Sequence, residues 1–237
     1  MPPKPLAAPI LSLSLSLLLL AACQTTTAPP PSQSAPVARL SLAEAEARLA
    51  PVQARMEPVA ERQCRARAPG VNCDFQISID PDRSQPPNAY QSQSPSGRPR
   101  ITFTTALIAD ARNPDELAFV LGHEAAHHIQ GHIARSQGDA LSGALLAGVL
   151  AVAIGADGSG VDLAMDLGAG IGSRVYSKDY ELEADQLGTV ITHDAGYDPL
   201  IGVAYFTRIP DPGNRFLGTH PPNRDRIARV EATARGL

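Results

Sequence analysis

The segment 113–128 constrains the fold of this chain more than any other, because a helix start signal leads directly into a patterned helical run. Asn113 can cap the helix, and Pro114 suits the first helical position, where its missing N–H costs nothing. Glu116 stands three residues after the cap and predicts a capping box. The sequence therefore predicts a helix that begins at Pro114 and extends past His127.

Two histidines and a glutamate in this helix form the pattern His-Glu-x-x-His. His123 and His127 are four residues apart, so both imidazoles project from one face about one turn apart. This spacing favours a single zinc ion held by both rings, and Glu124 lies where a carboxylate can accept a proton from water at the metal. On the motif alone, the alternative is a solvated polar helix face.

Composition and charge limit the classes of partner. The chain has 237 residues, a length that suggests one domain or one domain with extensions, and its hydrophobic content of 43% is enough for a core. Lysine and arginine number 20 against 24 acidic residues, giving a net charge of −4. No basic stripe of the kind that neutralises a phosphate backbone is evident, so we expect no nucleic-acid partner.

The N-terminus predicts export and lipidation. Lys4 and the apolar run 10–20 are typical of a signal peptide covering 1–22, and the run is short for a membrane span. The ending Leu-Ala-Ala-Cys resembles a bacterial lipobox, in which cleavage before Cys23 leaves that residue lipid-modified. Gln24 after the cysteine favours the outer membrane, with the domain facing the periplasm. The alternative is a plain secretory signal with an incidental cysteine.

A flexible tether and a single domain are predicted to follow. Residues 23–38 contain the lipidated cysteine and a segment rich in Thr, Pro, Ser and Gln, which cannot form a core. Residues 39–237 are predicted to form the folded domain. Its first helix runs to about residue 68, and Pro51 and Pro58 are expected to kink or divide it.

The other two cysteines, Cys64 and Cys73, flank the turn formers Pro69 and Gly70. In an oxidising periplasm they are the pair left once Cys23 is lipidated, and we favour a disulfide between them. In a reducing compartment they would be small apolar residues.

Two short strands are predicted before the histidine helix. Residues 74–80 and 100–104 alternate polar and apolar side chains, and 81–97 is predicted to be loop. The strands suggest a small sheet beside the helix, and a strand left at its edge could bind an extended peptide by strand addition.

After the helix, residues 140–172 form a predicted Gly- and Ala-rich helical insert. Its first part, 140–156, has no charged residue, and glycines recur at a spacing that permits close helix packing. We favour a helix that is buried in the domain or lies over it. The alternative is a segment that touches substrate or membrane.

The third metal ligand has two possible sources. A histidine in the pattern His-Glu-x-x-His-x-x-Gly-x-x-His would fall at position 133, but Ile133 stands there. A later helix offers Glu181 and Asp185, four apart on one face, with Glu183 directed away from them. A ligating glutamate with an aspartate one turn on suits a ligand paired with a group that orients an imidazole.

At these residues the chain resembles the HtpX-like and CAAX-prenyl-protease-like zinc metallopeptidases, metallopeptidase family forty-eight. The resemblance covers roughly 88–230 and rests on four motifs in order. They are Asn88-Ala89-Tyr90, the segment 115–127, the segment 177–188, and Thr219-His220-Pro221-Pro222 with Arg226. The resemblance implies an α+β, mainly α, gluzincin-type peptidase domain with a small β-sheet beside the zinc helix.

The resemblance also implies roles for single residues. One Zn²⁺ per chain would be held by His123, His127 and Glu181, with Glu124 as general base and Asp185 as the supporting acceptor. Asn88 would orient the substrate backbone.

Two further side chains are candidates for stabilising the oxyanion, His220 first and Arg226 second. In this family a histidine in the last motif can instead occupy the open metal position and inhibit the enzyme. A third alternative for His220 is a cap for the last helix. His128, His132 and His193 are expected to be ordinary polar positions.

The resulting hypothesis is a lipid-anchored zinc metalloendopeptidase that hydrolyses envelope proteins, in protein quality control. Its expected partners are envelope protein and peptide substrates and the membrane, through the anchor. Two alternatives remain: a zinc-bound chaperone or binding module with a mostly shut site, and a structural lipoprotein with an incidental motif.

Overall fold

The computed structural model describes residues 40–175, 177–213 and 220–237, all within one compact unit, Pro36–Leu237. The predicted signal peptide, Cys23 and the tether lie outside the described residues, as does Thr219.

The described residues form eight α-helices and one three-stranded sheet, so the prediction of a mainly α, α+β fold is confirmed. In chain order these elements are α1 (Leu42–Arg67), β1 (Gln76–Ile79), β2 (Ala89–Gln93), β3 (Pro99–Phe103), α2 (Thr105–Asp110), α3 (Pro114–Ile129), α4 (His132–Ala153), α5 (Gly158–Val175), α6 (Ser177–Asp194), α7 (Pro199–Val203) and α8 (Asn223–Ala234). A 3₁₀ turn, Ala204–Thr207, follows α7.

Helix α1 opens with a capping box. The Ser41 hydroxyl accepts from the Glu44 backbone N–H at 3.2 Å, and the Glu44 carboxylate accepts from the Ser41 N–H at 2.8 Å. Of the expectation that Pro51 and Pro58 kink or divide the helix, the division is wrong, because both lie inside one continuous helix. One face of α1, including Met56, is buried in the main core, and this packing outweighs the hydrogen bonds that proline removes.

The sheet has the order β1-β3-β2, with β1 parallel and β2 antiparallel to β3. Strand β2 lies within the segment expected to be loop, so that expectation is wrong for Ala89–Gln93. Its polar residues carry no strand signal, and it forms because β3 supplies a partner, with Gln91 opposite Ile101. Within the part of the chain that is described, β2 is an edge of the sheet beside α3.

Helices α4 and α5 form a hairpin that packs mainly on itself. A Cβ at Gly143 would lie 2.1 Å from the Gly168 carbonyl oxygen, and one at Gly172 would lie 2.1 Å from the Asp139 oxygen, so glycines bring the two backbones together. The two helices expose large apolar side chains at Leu141, Leu145, Leu146, Val149, Leu150, Val152, Leu163, Leu167 and Ile171.

The expectation that the insert is buried in the domain or lies over it is therefore wrong. Its small residues face the seam between the two helices, and its leucines are left outside. By length and composition alone, α4 is long and apolar enough to cross a membrane.

The Cys64 and Cys73 side chains are joined in a disulfide. Cys64 lies in the last part of α1 and Cys73 precedes β1, and both are buried in the main core. The disulfide therefore ties the end of α1 to the beginning of the sheet.

Helix α3 passes through the middle of the domain and crosses α6 at two glycines. A Cβ at Gly188 would lie 2.9 Å from the backbone nitrogen of His123, and one at Gly122 would lie 2.8 Å from the Gly188 oxygen. Backbone thus packs on backbone at the turn of α3 that carries the first histidine of the motif.

We predict opposite effects for two Gly→Ala substitutions in helices. Gly188→Ala should lower the free energy of unfolding by about 1–3 kcal/mol, because the methyl group must push α3 and α6 apart. Gly138→Ala in α4 should be neutral or stabilising by up to about 1 kcal/mol, because it meets open space and alanine favours helix. Chemical denaturation of the two variants checks this, and equal effects would contradict the tight crossing.

Candidate metal centre

Helix α3, which carries the histidine motif, is anchored at its first turn. The Asn113 side-chain oxygen accepts from the Glu116 backbone N–H at 2.9 Å, as predicted. The predicted return bond from the Glu116 carboxylate to Asn113 is wrong, because that carboxylate accepts from the Arg112 N–H instead. It is buried and also held by two nitrogens of the Arg208 guanidinium, at 2.6 and 2.7 Å.

Three predicted ligand side chains meet at one point between α3 and α6. Nε2 of His123 lies 3.0 Å from Nε2 of His127, and the Glu181 carboxylate lies 3.6 Å from the first and 3.4 Å from the second. Donor atoms bound to one tetrahedral zinc ion at about 2.0–2.1 Å lie about 3.3–3.4 Å apart. The separations therefore fit three ligands of a single zinc-sized ion.

The chemistry of the donor set also favours a cation. Nδ1 of His123 lies 3.0 Å from an Asp185 oxygen and Nε2 lies 3.6 Å from the Glu181 carboxylate, so both ring nitrogens face carboxylate acceptors. Burial and the Arg226 guanidinium lower the pKa of His123, but hydrogen bonds to the two carboxylates outweigh them and raise it to about 9. The cluster therefore stabilises positive charge.

Burial raises the pKa of Glu181, but hydrogen bonds from His123, His127 and His220 outweigh it and hold the pKa well below its usual range. Glu181 is consequently an ionised carboxylate, the form in which it can bind a metal.

Arg226 lies behind the ligands. Its guanidinium donates to both oxygens of Asp185, at 2.7 and 2.8 Å, and stacks over the Phe206 ring at 3.8 Å. Burial raises the pKa of Asp185, but Arg226 and His123 outweigh it, so the carboxylate stays ionised. The pair fixes the orientation of Asp185, which in turn fixes the His123 ring.

The structure places the remaining candidates around this cluster. Glu124 is partly buried on α3; burial raises its pKa, and the nearby His123 and His127 oppose that rise. His220 is exposed, and its Nδ1 lies 3.2 Å from the Glu181 carboxylate. Asn88 is exposed at the start of β2, where its backbone N–H donates to the Thr104 hydroxyl at 3.0 Å.

The alternative in which His220 caps the last helix is wrong. Helix α8 begins at Asn223 and its N-cap is Pro222, and the Asn223 backbone N–H donates to the Asp211 carboxylate at 3.3 Å. His220 instead contacts a candidate ligand.

Two histidines that the sequence analysis treated as ordinary polar positions are buried. His128 is 2% exposed and His132 is 4% exposed, whereas His193 has the exposed side chain expected of it. His128 bonds the Asn72 carbonyl oxygen at 2.7 Å and the Gln93 amide at 3.1 Å, which links α3 to β2.

His132 lies five residues after His127, a spacing that does not share a helical face. The positive φ of Gly131 ends α3 there and turns α4 back toward the cluster. The sequence signal for this position is the helix break at Gly131, which would have had to be predicted to bring His132 beside the site. Burial and the neighbouring His127 lower the pKa of His132 to about 4, so its ring is neutral near pH 7.

Comparison with known proteins agrees with the fold and the cluster. The model of Peptidase family M48 matches residues 46–234. A putative beta-barrel assembly-enhancing protease of Vibrio cholerae is 33% identical over 57% of this chain and 31% of its own length.

More distant relatives carry two names. The beta-barrel assembly-enhancing protease of Escherichia coli is 26% identical over 54% of this chain and 29% of its own. The mitochondrial metalloendopeptidase OMA1 of Saccharomyces cerevisiae is 29% identical over 68% and 47%. The chain spans less than half the length of each of these relatives.

The fold and the site define a zincin-type metallopeptidase domain. The chain belongs to Peptidase family M48, as the sequence resemblance predicted.

We predict that the Asp185–Arg226 pair supports both stability and metal binding. Asp185→Asn should cost about 3 kcal/mol of stability, because it leaves a buried guanidinium without its charge partner. It should also weaken binding of added zinc about 10–100-fold, because the His123 ring loses its orienting acceptor.

Glu116→Gln is the matched control, since Arg208 holds that buried carboxylate in the same two-pronged way at the far end of α3. It should lose stability and keep zinc affinity. Denaturation and competition with a chromophoric chelator measure the two quantities, and equal zinc affinity in both variants would contradict the role given to Asp185.

Proposed function

We propose that this chain is a zinc-dependent metalloendopeptidase that hydrolyses peptide bonds of cell-envelope proteins. The observation that carries the proposal is the convergence of His123, His127 and Glu181 from two helices, with Glu124 on the same turn as the first histidine. When bound, zinc would polarise the scissile carbonyl and lower the pKa of water.

The chain's own residues would perform the remaining steps. Glu124 accepts the proton of the attacking water and later passes it to the leaving amine, as a general base that becomes a general acid. His220 is exposed beside Glu181 and is the candidate that can donate to the developing oxyanion. Arg226 donates to both oxygens of Asp185 and lies 3.6 Å from the Glu181 carboxylate, so we assign it to positioning these two carboxylates rather than to the oxyanion.

The sheet edge offers a way to align the substrate. Strand β2 lies beside α3, and His128 ties its last residue, Gln93, to that helix. An extended peptide can add to such an edge through main-chain hydrogen bonds. Asn88, exposed where β2 begins, is then placed to orient the substrate backbone.

The names of the relatives support a location in the cell envelope and substrates among envelope proteins. The Vibrio cholerae and Escherichia coli relatives are named for beta-barrel assembly, which supports envelope proteins as substrates and quality control as the role. Together with the lipobox at Cys23, this supports an outer membrane lipoprotein that faces the periplasm, with 1–22 removed, 23–38 as a tether and 39–237 as the peptidase domain.

One observation favours a second candidate function. Nδ1 of His220 lies 3.2 Å from Glu181, close enough to the cluster for this ring to block the position a substrate carbonyl needs. A chain held in that arrangement would bind zinc and unfolded protein but cleave slowly, as a chaperone or binding module with a mostly shut site.

We predict that Glu124→Gln abolishes proteolysis while zinc content and fold are kept. Loss of the general base should lower kcat/KM on denatured casein by at least about 10²-fold. His193→Gln, an exposed position on α6, is the control and should cleave normally. Undiminished cleavage by Glu124→Gln would contradict the proposed role of Glu124. Absence of zinc from the wild-type protein would contradict the proposal that the enzyme depends on zinc.

We predict that His220→Ala separates the two functions. If His220 donates to the oxyanion, its loss should lower kcat about 10²–10³-fold with zinc affinity unchanged. If it blocks the open position, its loss should raise turnover. Initial rates on casein, with zinc content measured alongside, decide between these results.

A further inference from the structure

We propose that His132 and Glu183 act together as positioning residues for the second histidine of the metal cluster, His127. The proposal rests on the metal centre described above and adds to it a supporting chain on the side opposite Asp185. His132 lies outside the family motifs quoted earlier, and Glu183 lies within the segment 177–188 but has been given no role so far.

The geometry of the chain is continuous. Nδ1 of His127 lies 2.8 Å from Nδ1 of His132, and Nε2 of His132 lies 3.2 Å from the Glu183 carboxylate. The Arg135 guanidinium closes the chain by donating to both oxygens of that carboxylate. The contacts thus run from α3 through α4 to α6.

If Nε2 of His127 binds the metal, the contacts of the chain fix its protons. His127 offers Nε2 to the cluster, so its proton stands on Nδ1 and is donated to Nδ1 of His132. His132 must then accept at Nδ1, which leaves its own proton on Nε2, where Glu183 accepts it. A ligating imidazole that donates its other N–H is fixed in tautomer and orientation, and becomes a stronger ligand.

Packing holds the His132 ring in the plane this arrangement needs. The Tyr180 ring stacks on it with centroids 4.8 Å apart and planes 15° apart, and the Arg135 guanidinium lies over the Tyr180 ring, 4.1 Å from its centroid. His132 itself is 4% exposed, so water does not compete for its nitrogens.

The two ligand histidines thus have different supports. His123 donates to an ionised carboxylate directly, whereas His127 reaches Glu183 through a neutral ring. An intervening imidazole extends the reach of the carboxylate across the gap between α3 and α6.

The test compares zinc affinities by competition with a chromophoric chelator. His132→Leu, which fills the space without an acceptor, should weaken zinc binding about 10–100-fold. His132→Asn, whose amide oxygen can stand near the position of Nδ1, should recover at least about a third of that loss on a logarithmic scale. Glu183→Ala, a partly exposed position, should weaken binding less, about 3–10-fold.

A double variant asks whether Glu183 acts through His132. Adding Glu183→Ala to His132→Leu should cause no further loss of zinc affinity, because the intermediate ring is already gone. Additive losses would overturn the chain as drawn. His128→Leu is the matched control: it removes an equally buried histidine of α3 and should lower stability without changing zinc affinity.

NMR of ¹⁵N-labelled histidines in the zinc-loaded protein gives a readout besides affinity. Long-range ¹⁵N–¹H correlations should show His132 protonated on Nε2 and bare on Nδ1, and the opposite tautomer would overturn the proposal. Wild-type affinity in both His132→Leu and Glu183→Ala would overturn it alone, leaving the peptidase assignment intact. A wild-type chain that binds no zinc would overturn both.

Discussion

Helices α3 and α6 cross at Gly122 and Gly188, and a methyl group on either would meet the backbone of the other helix. This close approach allows a short carboxylate on α6 to reach imidazoles on α3. Glu181 stands seven residues before Gly188, two turns along the helix, and Asp185 stands one turn nearer. The crossing therefore determines both the ligand and the group that orients the first histidine.

Charge in this crossing is balanced by partners drawn from distant parts of the chain. Asp185 is fully buried and ionised because Arg226 arrives from α8, and Glu116 is buried because Arg208 arrives from the segment after α7. Each pair has one member on α3 or α6 and one that follows α7 in the chain. The C-terminal elements thus complete the electrostatics of the site as well as covering its core.

The sequence revealed the cluster because its residues obey local rules. His123 and His127 share a helical face, and so do Glu181 and Asp185, so each pair could be placed before any contact was known. What could not be predicted depends on tertiary pairing. Strand β2 needs β3 as a partner, and the two prolines of α1 are tolerated because of the core they pack on.

The place of His132 beside the cluster could not be predicted for a related reason. It depends on the turn at Gly131 rather than on helical periodicity. For the Gly-rich insert the helices could be predicted but not the face that packs. Its composition indicates helices correctly, but composition does not say which face of a helix meets a neighbour, and here the glycines take that face.

Both ends of the exposed hairpin formed by α4 and α5 adjoin elements that carry the metal cluster. Helix α4 starts at His132, which touches one ligand, and α5 is followed directly by the helix that bears Glu181. At 1.5 Å per residue, the 22 residues of α4 make a rod about 33 Å long. A binding partner that holds the apolar tip of this hairpin, at Ile154, could therefore move the residues at its base, which lie at the metal cluster.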